Sequence, residues 1–285
     1  MRKIGYTAND EWIMLLGWVI DHGTWTFPRG KNCLEIQALQ SSVDMKHPVI
    51  TIPERKISNR FMLAEAIWIM SGSDSVEDIV PYNKNIAAFS DDGETFFGAY
   101  GPKICSQCTY VMKTLANDPW SRQAVINIWR ENPRPTKDVP CTLSLQFLLR
   151  PSVQADKGAS VEKWNLDCVA TMRSSDLWLG YVYDVFNFSM VSAAIALDLI
   201  YFHGFKVDLG VLYLTAGSQH LYDNNVETAT FIRNKYTDTS EDSAISVMEY
   251  NPINLNEFIN GAYLLSHLVD LLEGDPTSTF LNGIR

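Results

Sequence analysis

The sequence predicts an α+β fold in one domain spanning residues 1–285. Three observations lead there. Candidate strands at 34–43, 123–129, 142–149, 165–172 and 209–215 are short and separated by helices of unequal length, without the regular alternation of a doubly wound sheet. A chain of 285 residues is long enough to bury a full core. Its 46% hydrophobic and 20% charged residues are the composition of a globular protein.

The elements follow in chain order. Residues 9–22 place Trp12, Ile13, Leu15, Leu16, Val19 and Ile20 at helical spacing and stop at His22-Gly23, a helix end. Leu34 to Val43 reads as a strand. Phe61 to Met70 reads as an apolar helix with one acid, Glu65, broken by Ser71-Gly72-Ser73-Asp74. Asn83 to Gly101 reads as loop, with a turn at Asp91-Asp92-Gly93. Cys108 to Ala116 is helical and stops at Asn117-Asp118-Pro119. The apolar runs 123–129, 142–149 and 165–172 suit a sheet covered on both faces, with a polar loop through Lys157-Gly158 between the last two. Val185 to Phe202 is a long apolar helix closed by His203-Gly204, Leu209 to Thr215 a strand, and Leu255 to Leu272 a final helix before Gly274-Asp275-Pro276. No repeat is visible.

The net charge of −10 argues against a general nucleic-acid surface, though a few arginines can still hold a small anion. No fully apolar run reaches the roughly 18 residues that a bilayer span needs. The N-terminus turns polar at Thr7-Ala8-Asn9-Asp10-Glu11, so a cytoplasmic protein is expected. Five cysteines, an odd number, suggest reduced thiols. Cys105-Ser-Gln-Cys108 lacks the second pair or spaced histidines of a zinc site, so no metal is expected.

Chemistry concentrates in a few places. Cys141 follows a proline at the head of an apolar run, and Arg173-Ser174-Ser175-Asp176 opens another run about thirty residues later. Most cysteines of this kind are structural. A nearby guanidinium, however, favours the thiolate, which is the nucleophilic form. Arginine also offers a planar fork to phosphate, to which Ser174 can add a hydroxyl. His220 and Tyr222, two apart on an extended segment after a Thr215-Ala-Gly-Ser218 turn, face one side and could hold a sugar hydroxyl. Glu65, with apolar neighbours all round, is either paired or lines a cavity where its pKa rises.

In this order the pieces resemble the thymidylate synthase family, most strongly from Asn117 to Asn225. The resembling elements are Asn117-Asp118-Pro119-x-Ser121-Arg122, Pro140-Cys141, Gln146-Phe147, Arg173-Ser174-x-Asp176 with Leu179-Gly180, and His220-Leu221-Tyr222-x-Asn224. Upstream, Gly23-Thr24 with Arg29-Gly30 resembles a phosphate loop, Glu65-x-x-Trp68 the helix of the catalytic glutamate, and Gly98-Ala99-Tyr100-Gly101 the segment of the active-site tyrosine. The resemblance implies a large curved mixed β-sheet flanked by helices, two of which pack back to back in a homodimer. It implies a pyrimidine nucleoside monophosphate as substrate and 5,10-methylenetetrahydrofolate as cofactor, with no membrane and no direct nucleic-acid partner. Cys141 would add to C6 of the base, making C5 the nucleophile toward the one-carbon unit. Glu65 and Tyr100 would relay protons. Arg29, Arg173 and Ser174 would bind phosphate, with Arg122 reaching in from the second subunit; Gln123, Gln146 and Ser175 would belong to the substrate side, and His220 and Tyr222 to the sugar. Ile86, Phe89, Asp176, Leu179, Gly180 and Tyr183 would face the folate.

Four departures set the branch. Read without gaps, the asparagine that reads the uracil edge in the synthases is Asp184 here, which suits cytosine: a carboxyl accepts from N4–H and can share a proton with N3. With three residues inserted, Phe186-Asn187 would supply the asparagine instead; the ungapped reading is preferred because helix starts tolerate few insertions. Ile86 falls where a tryptophan shields the intermediate from water. The C-terminus, Phe280 to Arg285, lacks the small apolar ending that closes over folate. Thr142 replaces the histidine after Pro-Cys, and Gln123 replaces a second arginine. The expectation is a cytidylate 5-hydroxymethylase on dCMP, with CMP as the other sugar. The alternatives are a methyl-transferring synthase on dUMP or dCMP, or a non-catalytic homologue that binds nucleotide or RNA.

Overall fold

The computed structural model describes residues 5–153, 160–237 and 250–274. Seven strands form one mixed sheet in the order β1-β2-β7-β5-β4-β3, with β6 paired to β7 off this path. The strands are β1 (Thr24–Thr26), β2 (Cys33–Asp44), β3 (Val125–Asn127), β4 (Thr142–Pro151), β5 (Trp164–Met172), β6 (Ser175–Asp176) and β7 (Val207–Tyr222). The helices are α1 (Ala8–His22), α2 (Asn59–Met70), α3 (Val76–Ile79), α4 (Gly101–Asn117), α5 (Tyr181–His203), α6 (Asp223–Thr237) and α7 (Gly261–Glu273). The predicted α+β architecture with a large mixed sheet flanked by helices is what is found.

Local chemistry explains the boundaries. Thr7 and Ser58 cap α1 and α2 by accepting from the amides of Asp10 and Phe61, each at 3.2 Å. The end of α5 is Gly204 at φ 69°, whose amide reaches back to Ile200, as its sequence position suggested. β5 and β7 run parallel, so the chain must cross over between them, and α5 is that crossover. Burial alternates along β5: Trp164, Leu166, Cys168, Ala170 and Met172 face the core, and the residues between them are half-buried. Helices thus seal one face of the sheet, and the other is half-buried in the single chain; its expected cover is the sheet of a second subunit.

Several elements differ from their predicted form. The strand predicted at 123–129 shortens to Val125–Asn127, and α4 begins seven residues before Cys108. Lys84–Phe89 forms a short 3-10 helix inside the predicted loop. The Thr215–Ser218 turn does not exist: β7 continues through it to Tyr222. The predicted Leu255–Leu272 helix is a 3-10 turn at Leu255–Glu257 followed by α7. Asn260 interrupts it, capping α7 by accepting from the Tyr263 amide at 3.0 Å. The long helix α5 is apolar enough by length and composition to cross a membrane, yet 72% of its apolar window is buried inside the protein, so it is a core helix. The polar loop at Lys157-Gly158 and the C-terminal stretch from Phe280 fall outside the described residues.

Candidate active site

Backbone pairing brings three distant segments side by side. Arg173 donates its amide to the Cys141 carbonyl at 2.8 Å, and Ser218 of β7 donates to the Arg173 carbonyl at 3.1 Å. The thiol, the arginine arm and the strand leading to His220 therefore lie in adjacent rows. Gly217 makes the last approach possible, because a Cβ there would sit 2.9 Å from the Arg173 carbonyl oxygen. The glycine that suggested a turn is a close-approach glycine in a continuous strand.

The Cys141 Sγ lies 3.6 Å from both Arg173 Nη2 and Ser174 Oγ. Arg173 is held by donating Nε to the Pro140 carbonyl at 3.0 Å and Nη2 to that of Val139 at 2.9 Å, and its Nη1 donates to Ser174 Oγ at 3.1 Å. The guanidinium was expected to favour the thiolate. Burial dominates instead and pushes the Cys141 thiol up, with Arg173 and Ser174 opposing and the charges of Asp184 and Asp138 adding to the rise. A thiol held up in this way needs a proton acceptor before it can act as a nucleophile.

A group of acids and a phenol faces it. The Tyr100 hydroxyl oxygen accepts from the Thr142 amide at 3.3 Å, and burial, then the nearby Asp184 and Cys141, hold it well above the usual phenol range. Glu65 accepts from Asn187 Nδ2 at 2.8 Å, and burial raises its carboxyl to about 7, against which the Asn187 bond acts. Asp184, in the first turn of α5, is pushed well above the carboxylate range by burial first, and then by Glu65 and Asp176. A carboxyl offers two acceptor oxygens when ionised, and a donor with an acceptor when protonated. Cys141, Tyr100, Glu65 and Asp184 are all half-buried, which is how side chains at the floor of a cleft appear. Asn187 is 2% exposed, and its Oδ1 is buried without a hydrogen-bond partner. A polar atom left this way marks a place for a ligand or water.

Glu65 also gives a stability test. Below pH 4.5 it is neutral in both folded and unfolded chains. Between 4.5 and about 7 only the unfolded chain ionises freely, so folding is penalised, and the penalty is complete above about 7. Glu65→Gln removes it. The variant is expected to be more stable than the parent by about 3 kcal/mol above neutrality and equal to it at acid pH, measured by urea unfolding at the two extremes, while losing turnover.

The flanking residues divide into two groups. Asp176 pairs in register with His220 across β6 and β7, and its Oδ1 accepts from the amides of Trp178 at 2.8 Å and Leu179 at 3.1 Å. The His220 and Tyr222 rings meet edge to face at 5.2 Å, and Lys31 Nζ lies 5.8 Å from the Tyr222 ring centroid, which brings the Arg29 loop toward that end. Arg29 itself sits exposed on the Pro28–Gly30 turn at φ 52°. Ser175 is buried and its hydroxyl accepts from Gln219 Nε2 at 3.1 Å, so it positions β7 rather than facing the cleft. Gln146 Nε2 donates to the Arg122 carbonyl at 2.8 Å. Arg122 and Gln123 line a groove of about 570 Å3 with Trp120 and Asn117, and the Arg122 side chain takes no part in the hydrogen bonds around Cys141. Sequence reading missed Arg55. Only 8% exposed, it donates to the Trp178 carbonyl at 2.9 Å, lies over the Trp178 ring at 4.9 Å, and its charge is felt by Asp176 and Tyr183. An arginine before a helix carries no signal of such burial.

Among the residues expected to face the folate, Asp176 is raised by burial, the amides of Trp178 and Leu179 opposing. Beside it, Leu179 is 59% exposed, and Phe89 is 51% exposed on the 3-10 helix that also carries half-buried Ile86. Tyr183 packs edge to face on Phe61 at 5.0 Å, and its hydroxyl oxygen accepts from the Ser58 amide at 3.4 Å. Open apolar side chains around a hydrogen-bonding carboxyl fit a flat, polar-edged ring system.

A half-buried thiol with an arginine, near a raised carboxyl and a phenol, is a constellation able to do covalent chemistry on an anionic substrate. The thymidylate synthase family model matches residues 10–258, and the chain belongs to that family. It is 29% identical over 330 residues to a deoxyuridylate hydroxymethyltransferase of Bacillus phage SP01, covering 99% of this chain and 80% of that one. It is 27% identical over 179 residues to a deoxyuridylate hydroxymethyltransferase of Pseudomonas phage M6, covering 60% and 46%. To a thymidylate synthase of Francisella philomiragia it is 24% identical over 243 residues, covering 76% and 81%. The protein is a one-carbon transferase that modifies pyrimidines, with 5,10-methylenetetrahydrofolate as the donor.

Proposed function

We propose that the protein hydroxymethylates C5 of a cytosine nucleotide, with dCMP favoured over CMP, in the cytoplasm of its host cell. The observation that carries the base is Asp184: burial pushes this carboxyl well above its usual range, its charge acts on Tyr100 and Cys141, and an ungapped reading makes it the counterpart of the synthases' amide. Its carbonyl oxygen accepts from cytosine N4–H and its O–H serves N3. As the Cys141 sulfur bonds to C6, negative charge moves into the ring, and the Asp184 proton passes to N3 to neutralise it. A bound methylenetetrahydrofolate would supply C5 with one carbon at the oxidation level of formaldehyde and would leave as tetrahydrofolate, its carbon–nitrogen bond breaking as the C5 proton is lost. Glu65, poised near 7 and held by Asn187, takes the C5 proton and activates the water whose oxygen completes the hydroxymethyl group. Loss of the C6–S bond returns Cys141. Ile86, half-buried and read as standing in place of a tryptophan shield, supports access for that water because its side chain is smaller. A reaction run in heavy-oxygen water tests the last step: the product is expected to carry the label in its new hydroxyl, and an unlabelled methyl product would overturn it.

A uracil substrate is the second reading. The two phage relatives are named for deoxyuridylate, and Asn187 offers an amide one turn along α5. Against it, Asn187 Nδ2 already serves Glu65 and only its Oδ1 is left for a base, whereas Asp184 is near enough to act on Cys141.

The phosphate falls to Arg173 and Ser174, with Arg29 from the N-terminal loop and Arg122 from a second subunit. The half-open sheet face and the groove around Arg122, where Trp120 is 55% exposed, support a back-to-back homodimer. Arg122→Ala and Cys141→Ala chains are each expected to be inactive alone. Mixed and refolded together they should regain turnover, because hybrid dimers hold one complete site; no recovery would place Arg122 within its own subunit.

A further inference from the structure

The stretch 130–138, which leads into Pro140-Cys141, is stitched to the stretch 90–98, which leads into Tyr100. Asp138 Oδ2 accepts from the Gly98 amide at 2.7 Å. Asp91 accepts from Thr136 Oγ1 at 2.5 Å and from the Lys137 amide at 3.0 Å. The Phe97 ring lies under Arg130 at 3.8 Å and Arg134 at 4.7 Å. Beyond Cys141, the Thr142 amide donates to the Tyr100 hydroxyl at 3.3 Å. Two bonds thus span the same pair of segments, 98 to 138 and 100 to 142, with the thiol between them on one side and Ala99 on the other.

We propose that Asp138 is a positioning residue that sets the distance between the Tyr100 hydroxyl and the Cys141 thiol by holding Gly98 against the turn that carries the nucleophile. The fit has no slack: a Cβ on Gly98 would lie 2.7 Å from the Asp138 carbonyl oxygen and 2.9 Å from its carboxyl carbon. The Tyr100 hydroxyl has one fixed partner, a backbone amide that moves with Cys141, so any shift of the 98–100 segment is a shift of the phenol relative to the sulfur. Burial raises Asp138, the Gly98 amide and Arg130 oppose the rise, and Cys141 feels its charge, which agrees with its closeness to the thiol.

This assignment rests on the reading that Tyr100 acts on the reacting base. The test is a double-mutant cycle in the full-length enzyme, with turnover of its best nucleotide as readout. Asp138→Ala is expected to lower kcat about tenfold with KM changed less than about twofold, since small misplacements at a reacting centre cost rate more than binding. Asp138→Asn, whose amide oxygen still accepts from Gly98, should stay within about threefold of the parent. On a Tyr100→Phe background, Asp138→Ala should cost less than about twofold more, because residues that act as a unit are non-additive. Full additivity, unchanged turnover in Asp138→Ala, or equal damage in Asp138→Asn overturns the assignment while leaving Tyr100 in place. Parental turnover in Tyr100→Phe alone overturns both.

Discussion

Cys141→Ser is expected to abolish turnover, with kcat down by at least about 10⁴-fold, while the protein keeps its fold. The change replaces one atom in a half-buried side chain whose Sγ has only two polar neighbours, both at 3.6 Å. Packing is hardly touched, so thermal stability should move little. The chemistry changes entirely. A buried thiol is already reluctant to ionise here, and Arg173 with Ser174 brings it within reach of a base; the same two groups cannot do this for an alkanol, whose pKa is several units higher. The outcome also separates catalysis from simple nucleotide binding, since a binding module would lose nothing from the replacement. Turnover within about tenfold of the parent would remove Cys141 from the chemistry.

Asp184→Asn is expected to lower the ratio of cytosine to uracil nucleotide turnover by at least about 10²-fold. Asparagine keeps the shape, a donor and an acceptor, and so can still hydrogen-bond either base edge. It cannot give up its proton. The cytosine reaction places its charge on N3 and needs that proton; uracil places it on O4, where a hydrogen bond suffices. An unchanged ratio would mean that Asp184 does not read the base, and would turn attention to the Asn187 amide.

Much of the site was legible because its residues are chemically unusual for their settings. Arg173-Ser174 beside Cys141, and Glu65 in an apolar helix, stand out from sequence alone, and the structure brings the first three together and faces Glu65 toward Asp184. Ionisation was harder to read. The guanidinium suggested a thiolate, but burial, which depends on the whole fold, outweighs it. Gly217 looked like a turn because a glycine signals freedom, whereas its reason is the Arg173 carbonyl beside it, a contact between strands distant in sequence. Helix α6 escaped notice because only Ala229 and Ile232 are buried along it, leaving no apolar stripe to count. Arg55 ends the short 3-10 turn Pro53–Arg55 and Asp138 sits in a loop, and in both places a role comes from what tertiary structure sets opposite them, which no spacing rule reports.

The central claim is best tested by giving the enzyme equimolar dCMP, CMP and dUMP together with methylenetetrahydrofolate and reading the product masses. The account predicts that dCMP is consumed first and gains one CH2O. A product that gains one CH2, or consumption of dUMP ahead of both cytosine nucleotides, would contradict it.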